Sequence, residues 1–284
     1  MGSIYGIKFK KNYYNFKMNR VFTFGCSFTA FRWPTWADIL VHHFESNGLK
    51  GINWGKHASS NQYSFIKFME MNAKFHFNKD DLIIFCWTSI CREDRYISDR
   101  GWETTGNVLT QNVYPKEFNE KWVDPVHYYF RDCAMISSVK IILDSIGCNY
   151  HFFSMNKLEE DEHEANKLTH HTNKIIEYYG DSMKMHSMPM MDYMKQHPES
   201  VGTNVYYGKN KQIFVESHPS PKDHFSYLNE FILPKYNIEL HPKTIDFVNE
   251  WIEKIDLSDE PIDMLGLNWD PYQKNLDLVE VIKI

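Results

Sequence analysis

No stretch of this chain strings together the roughly 18 to 20 apolar residues that a membrane-spanning helix needs. The N-terminus, MGSIYGIKFKKNYYNFKMNR, is polar and basic and lacks the apolar core of a signal peptide. Gly2 is not followed by Ser or Thr at the position N-myristoylation wants, which Gly6 occupies. These features predict a cytoplasmic protein with no membrane partner. Cysteine is sparse. The five present (Cys26, Cys86, Cys91, Cys133 and Cys148) are odd in number and contain no CxxC pair, so reduced, buried thiols are expected rather than a disulfide framework or zinc site. There is no GxxxxGK[ST] and no GxGxxG string to cradle a nucleotide phosphate. His163-Glu164 is not followed by the second histidine of HExxH. Together with His170 and His171 it reads as a solvated helix face. No metal and no cofactor is expected. An excess of positive charge is also missing: the formal charge is −6 and the pI about 6.2, which argues against nucleic acid as a partner.

What is present suits a folded core. Of 284 residues, 43% are hydrophobic, 16% aromatic and 24% charged, enough apolar material for one large domain with insertions. Arg20–Phe24 is a short apolar run that stops at Gly25. Gly51–Trp54, Asp81–Trp87 and Asn149–Ser154 read as three more strands, and Asp81–Trp87 is continuously apolar, as a central parallel strand should be. Helical spacing marks Thr35–Asn47, closed by Gly48, then Ser64–Phe77, and then Val126–Ile146, closed by Gly147. A charged helix is expected over Leu158–Tyr179, a last short strand over Gln212–Val215, and further helices at His224–Phe231 and Thr244–Ile255. Met183–Met194 has no clean period and suits gap-filling core. The alternation predicts an α/β class: a three-layer α/β/α sandwich with a mainly parallel sheet. The expected organisation is a tail over 1–19, a domain over 20–234 with insertions at about 98–125 and 156–211, and a C-terminal helix and arm over 235–284. No internal repeat is visible.

Two strings carry chemistry. Phe24-Gly25-Cys26-Ser27-Phe28-Thr29 puts a serine just past a strand-ending glycine, at the carboxyl edge where open α/β sheets bind ligands. A serine nucleophile needs a base. Glu216-Ser217-His218-Pro219-Ser220-Pro221 supplies a histidine held stiffly between a strand and a helix start. Each string has a plainer reading, as a helix cap or as a surface histidine.

Together they resemble the SGNH, or GDSL-like, hydrolases, over roughly residues 20–155 and 212–233. Gly25-Cys26-Ser27 matches the family's G-D-S block with Cys for Asp, and His218-Pro219 matches its C-terminal H-P. GCSFT followed by a helix bearing Trp36 resembles a branch common in bacteriophage and environmental sequences. The resemblance implies a flavodoxin-like sandwich and an ester hydrolase or O-acyltransferase, with Ser27 as nucleophile and His218 as base. It implies a small-molecule or glycan ester as substrate, carrying a short acyl group. Glu216 is the candidate third member, since Val215 stands where the family has aspartate. Asn53–Asn61 resembles the second block. Its glycine falls on Ala58, whose N–H joins that of Ser27 in the oxyanion hole if the alanine φ is negative. Trp87-Thr88-Ser89-Ile90-Cys91-Arg92 replaces the third block and lacks its asparagine. Thr88 then serves the oxyanion, while Asn61, Ser89 and Arg92 are candidates for substrate binding. A catalytically decayed SGNH-fold binding module is the alternative. A Ser27–His218 contact near 3 Å separates the two readings.

Overall fold

The sheet is built from β1 (Arg20–Gly25), β2 (Lys50–Gly55), β3 (Asp81–Trp87) and β6 (Asn149–Ser154), while β4 (Arg92–Ile97) and β5 (Gly101–Asn107) form a separate antiparallel hairpin. The strand order is β2-β1-β3-β6, and every pairing is parallel. This is seen in a computed structural model that describes residues 18–111, 113–158, 174–197, 205–207, 213–215, 218–257, 267 and 269. All four expected sheet strands are there, extended by a residue or so at their ends.

Alternation along the strands makes the layers. Phe22, Phe24, Ile83, Phe85, Trp87 and Phe152 enter one core, beneath α2 (Asn61–Phe75) and α4 (Pro125–Ile146). Val21, Leu82, Ile84, Cys86 and Phe153 enter the other, beneath α1 (Trp36–Ser46) and helices from the C-terminal part. The result is the expected α/β/α sandwich. Because β1 has β2 on one side and β3 on the other, the chain reverses direction across the sheet there. The crevice at the carboxyl ends beside such a switch is where ligands bind in this class.

The helices start and stop where side chains allow. α2 begins at Asn61, earlier than its apolar spacing predicts, because Ser60 Oγ accepts from the Gln62 and Tyr63 N–H groups. α4 ends on Gly147 at φ 76°, a left-handed residue that halts the helix. The first insertion is more ordered than a loop. It holds β5, which pairs with β4 just ahead of it, and α3 (Lys116–Trp122). Of the expected helix over Leu158–Tyr179, residues 174–179 are helical and 159–173 lie outside the described residues. The methionine-rich segment forms α5 (Met190–Gln196). Met190 and Met194 are buried, Met183 and Met185 pack on the α2/α4 core, and Met188 and Met191 pack on the α1 core. The last expected strand exists, as β8 (Ile213–Val215), but it pairs antiparallel with β7 (Val205–Tyr207) and does not join the sheet.

After His218 the chain enters α6 (Pro221–Tyr227), a π-helical turn (Leu228–Ile232) and α7 (Leu233–Tyr236). α8 (Pro242–Ile255) follows. It buries Val248 in the α1 core, and it buries Trp251 and Ile255 against Phe31 and Trp33. No helix among the described residues is long and apolar enough to cross a membrane.

Candidate active site

Ser27 rides on a turn that only glycine can lead into. A Cβ on Gly25 would lie 2.2 Å from Thr29 Oγ1 and 2.7 Å from the Cys86 carbonyl. The turn closes when the Thr29 and Ala30 N–H groups both donate to the Cys26 carbonyl, at 2.9 and 3.1 Å. A buried polar cluster fixes it from below. Asn53 Nδ2 donates to the Thr29 carbonyl (2.7 Å) and to Asp38 Oδ1 (2.9 Å), while Asn53 Oδ1 accepts from Thr23 Oγ1 (3.1 Å) and the Gly55 N–H (2.9 Å). That uses all four capacities of the amide. Thr35 Oγ1 donates to the same Thr29 carbonyl (2.6 Å), and the Thr35 N–H donates to Asp38 Oδ2 (3.0 Å). Thr23, Thr35, Asp38 and Asn53 are fully buried, so the cluster is shielded from competing water.

His218 Nε2 lies 2.8 Å from Ser27 Oγ across 191 positions of sequence. With the ring proton on Nδ1, the serine hydroxyl donates to Nε2. The imidazole stacks on the Phe31 ring at 4.0 Å between centroids and 16° between planes, and Phe28 lies 5.4 Å away. Trp33 Nε1 donates to the Pro219 carbonyl at 2.8 Å. Ser220 then caps α6: the Ser220 N–H donates to Asp223 Oδ2 (2.9 Å), and the Asp223 N–H donates to Ser220 Oγ (3.3 Å). Asp223 is thus committed to the helix start, as its place in the sequence predicts. Glu216 lies outside the described residues.

The remaining candidates take different places. The loop after β2 wraps the Gly25 carbonyl, which accepts from the Lys56 N–H (2.9 Å) and from Ser59 Oγ (3.2 Å). Ala58 sits in this loop at φ 59°, not at the negative φ expected of it. The reason is a tight turn, closed by the Ser59 N–H on the Lys56 carbonyl at 3.1 Å and clamped from the hairpin by the Gly106 N–H on the Ala58 carbonyl at 3.0 Å. The N–H groups of Ser27 and Ala58 make no hydrogen bond among the described residues. Thr88 Oγ1, at the carboxyl end of β3, is buried and equally without a partner. Asn61, expected to meet substrate, is 1% exposed, with its amide already engaged. It accepts from the Thr88 N–H (2.8 Å) and donates to the Thr88 carbonyl (3.0 Å) and to Asp132 Oδ2 (2.7 Å). It shapes the end of β3 rather than facing a ligand. Arg92 Nε donates to Ser89 Oγ (3.0 Å) and Arg92 Nη1 to the Ser59 carbonyl (3.3 Å), and neither partner is a carboxylate.

Burial sets the protonation states of His224 and Cys86. His224, one turn into α6, is fully buried with both ring nitrogens unpartnered, and burial beside His218 pushes its pKa down to about 3. It stays neutral. Burial likewise raises the Cys86 thiol well above its ordinary range, so it is no competing nucleophile. No group of three or more His, Cys, Asp or Glu among the described residues is arranged to hold a metal ion. Phe31, Trp33 and Asp38 belong to no motif block, and Asn53 opens the second block without a role assigned to it there. The one available signal was the aromatic pair in Phe31-Arg32-Trp33-Pro34, directly after the nucleophile block.

No family model and no curated protein matches the chain. Among solved structures, it is similar to a GDSL-like lipase from Bacteroides thetaiotaomicron, at 14% identity and a TM-score of 0.41, over 77% of this chain and 88% of that one. It is similar to an acetylxylan esterase from Geobacillus stearothermophilus, at 11% identity and a TM-score of 0.41, over 80% and 99%. A member of the lipolytic G-D-S-L family from Veillonella parvula is similar at 13% identity and a TM-score of 0.40, over 75% and 97%. These likenesses, at identities of 11 to 14%, assign none of this chain's residues, and the site stands on its own geometry.

Proposed function

We propose that this chain is a serine-dependent ester hydrolase or acyl transferase of the SGNH type, with Ser27 as nucleophile and His218 as general base. The observation that carries this reading is the 2.8 Å approach of His218 Nε2 to Ser27 Oγ at the carboxyl edge of a parallel sheet. A decayed binding module has no need to keep these two atoms in contact. In the proposed reaction Ser27 Oγ attacks the ester carbonyl carbon and its proton passes to Nε2. The oxyanion of the tetrahedral intermediate is met by the N–H group of Ser27 and by the Thr88 hydroxyl. Collapse breaks the ester C–O bond, and the proton on Nε2 goes to the leaving alcohol. Water, or another hydroxyl, then attacks the acyl-serine by the same path. Ser27 is 5% exposed, which supports a short acyl group over a long chain. Arg92 and Ser89 are the proposed holders of an anionic or sugar group, and a carbohydrate is the substrate the family resemblance implies.

The test is hydrolysis of p-nitrophenyl acetate, together with mapping of a fluorophosphonate label. The label is expected on Ser27. Ser27→Ala and His218→Ala are expected to lose at least 1,000-fold in kcat, as removal of a member of such a unit does. Glu216→Gln is expected to lose rate with little change in KM if its carboxylate orients Nδ1. Full turnover by Ser27→Ala would sink the hydrolase reading. Full turnover by Glu216→Gln alone would leave a Ser–His dyad.

A further inference from the structure

The catalytic histidine is gripped by residues that belong to none of the motif blocks. We propose that Trp33, backed by the C-terminal helix α8, is the positioning residue for His218. This rests on the hydrolase reading above and extends it to a part of the chain outside the resemblance.

The grip has three parts. The Trp33 indole N–H donates to the Pro219 carbonyl at 2.8 Å, so it fixes the Pro219–Ser220 peptide, the second one after the histidine. Phe31 packs edge-on against Trp33 at 4.6 Å and 76°, and stacks face-on against the imidazole at 4.0 Å. Behind Trp33, which is fully buried, stand Trp251 and Ile255 of α8, with Trp269 edge-on to Trp251 further out, at 5.7 Å and 75°. The end of α8 also reaches the other side of the same turn. The Lys222 N–H, in the first turn of α6, donates to Asp256 Oδ2 at 3.2 Å. The His218–Pro221 turn is therefore held at one end by Trp33 and at the other by Asp256, and α8 supports both.

The division of labour is physical. A carboxylate on Nδ1 decides the tautomer of an imidazole and the rotation of its ring. It does not decide where the backbone carrying that imidazole sits. Here the sequence on the N-terminal side of His218 comes from a short two-stranded ribbon outside the main sheet, so the sheet cannot place the histidine directly. The turn is instead anchored from the nucleophile's own loop. Only five residues lie between Ser27 and Trp33, so nucleophile and base are tied to one rigid segment. Misplacement of a reacting group by about 1 Å costs on the order of 100-fold in rate.

The experiment compares Trp33→Phe, which deletes the N–H and keeps a ring, with Trp251→Leu, which loosens the support from α8. Ile245→Ala, at an exposed position of α8, is the control. For each, kcat and KM for p-nitrophenyl acetate are measured beside the rate of fluorophosphonate labelling of Ser27 and the fraction folded by circular dichroism. Trp33→Phe is expected to lose about five- to ten-fold in kcat and in labelling rate per folded molecule, with KM unchanged. Trp251→Leu is expected to shift the same way, and Ile245→Ala not at all. Unchanged kcat per folded molecule in Trp33→Phe, or a fall matched by a rise in KM, would overturn the proposal. If Trp33→Phe does not fold, Trp251→Leu decides on the same criteria. A wild-type chain that neither hydrolyses the ester nor labels at Ser27, or an active Ser27→Ala, would instead remove the hydrolase reading on which the proposal rests.

Discussion

Ala58 adopts a backbone conformation that a residue with a Cβ adopts at a cost of about 1 to 2 kcal/mol, and it does so in the loop that wraps the Gly25 carbonyl. Its carbonyl is held by the hairpin, the next residue donates back to Lys56, and its own N–H is left over. Glycine at this position relieves the steric cost and pays a smaller entropic one in the unfolded chain. Ala58→Gly is therefore expected to raise stability by about 0.5 to 1 kcal/mol, seen as a melting temperature about one to four degrees higher. A lower melting temperature would show that the left-handed conformation is not what the alanine adopts in solution. The same residue marks a limit of sequence reading. The block pattern places Ala58 as an oxyanion donor, but the sign of its φ depends on Gly106 meeting its carbonyl from a hairpin almost fifty residues on.

At the scale of elements, what was legible follows from burial. β1, β3 and β6 are short runs whose residues are nearly all buried, so hydrophobicity alone marks them. β4, Arg92–Ile97, reads REDRYI and has a burial pattern with a single buried position, Asp94, so no apolar alternation announces it. Asp94 does structural work that its residue type conceals. Oδ2 accepts from the Ser60 N–H at 2.9 Å, the Tyr63 N–H at 3.2 Å and the Ser60 hydroxyl, which caps the start of α2 from the hairpin. With the Thr104 hydroxyl on the His57 carbonyl at 2.8 Å, the hairpin braces the whole loop from 57 to 61. Trp102 packs between Tyr63 and Tyr96. Asp94→Ala strands the buried Ser60 N–H and leaves the Tyr63 N–H only its longer bond to Ser60 Oγ (3.4 Å), and is expected to cost about 1 to 3 kcal/mol, while Asp94→Asn, which keeps an acceptor, costs less. Urea denaturation of the two variants checks the order, and equal midpoints would show that the cap is not needed.

For the whole molecule, the histidines decide how the fold responds to acid. Burial is the first cause in each case: it lowers His151 to about 2, His224 to about 3, and His43 and His186 to about 4, so all four remain neutral in the native state at pH 5. In the unfolded chain each titrates near its ordinary value of about 6.5. Between those values the unfolded state binds more protons than the native one, so stability falls as pH falls. The stabilising contribution is fully present above about pH 6.5 and is lost progressively towards the folded values. Buried carboxyls act in the opposite sense. Asp256 is raised to about 6, chiefly by burial, so the native state gains a proton there that the unfolded chain takes up only near its ordinary value of about 4. Burial raises Asp94 and Asp132 as well, and these carboxyls together offset part of what the four histidines remove. The urea midpoint is therefore expected to drop steeply from pH 7 to pH 5. His224→Leu, which removes an unpartnered buried imidazole, is expected to flatten that slope by about one proton and to raise stability at pH 5 more than at pH 7. His224 and His218 lie on the same stretch of chain but answer to different physics: one is sealed beneath α6, the other meets Ser27. A flat midpoint between pH 7 and pH 5 would mean that the buried histidines reach water and protonate without unfolding.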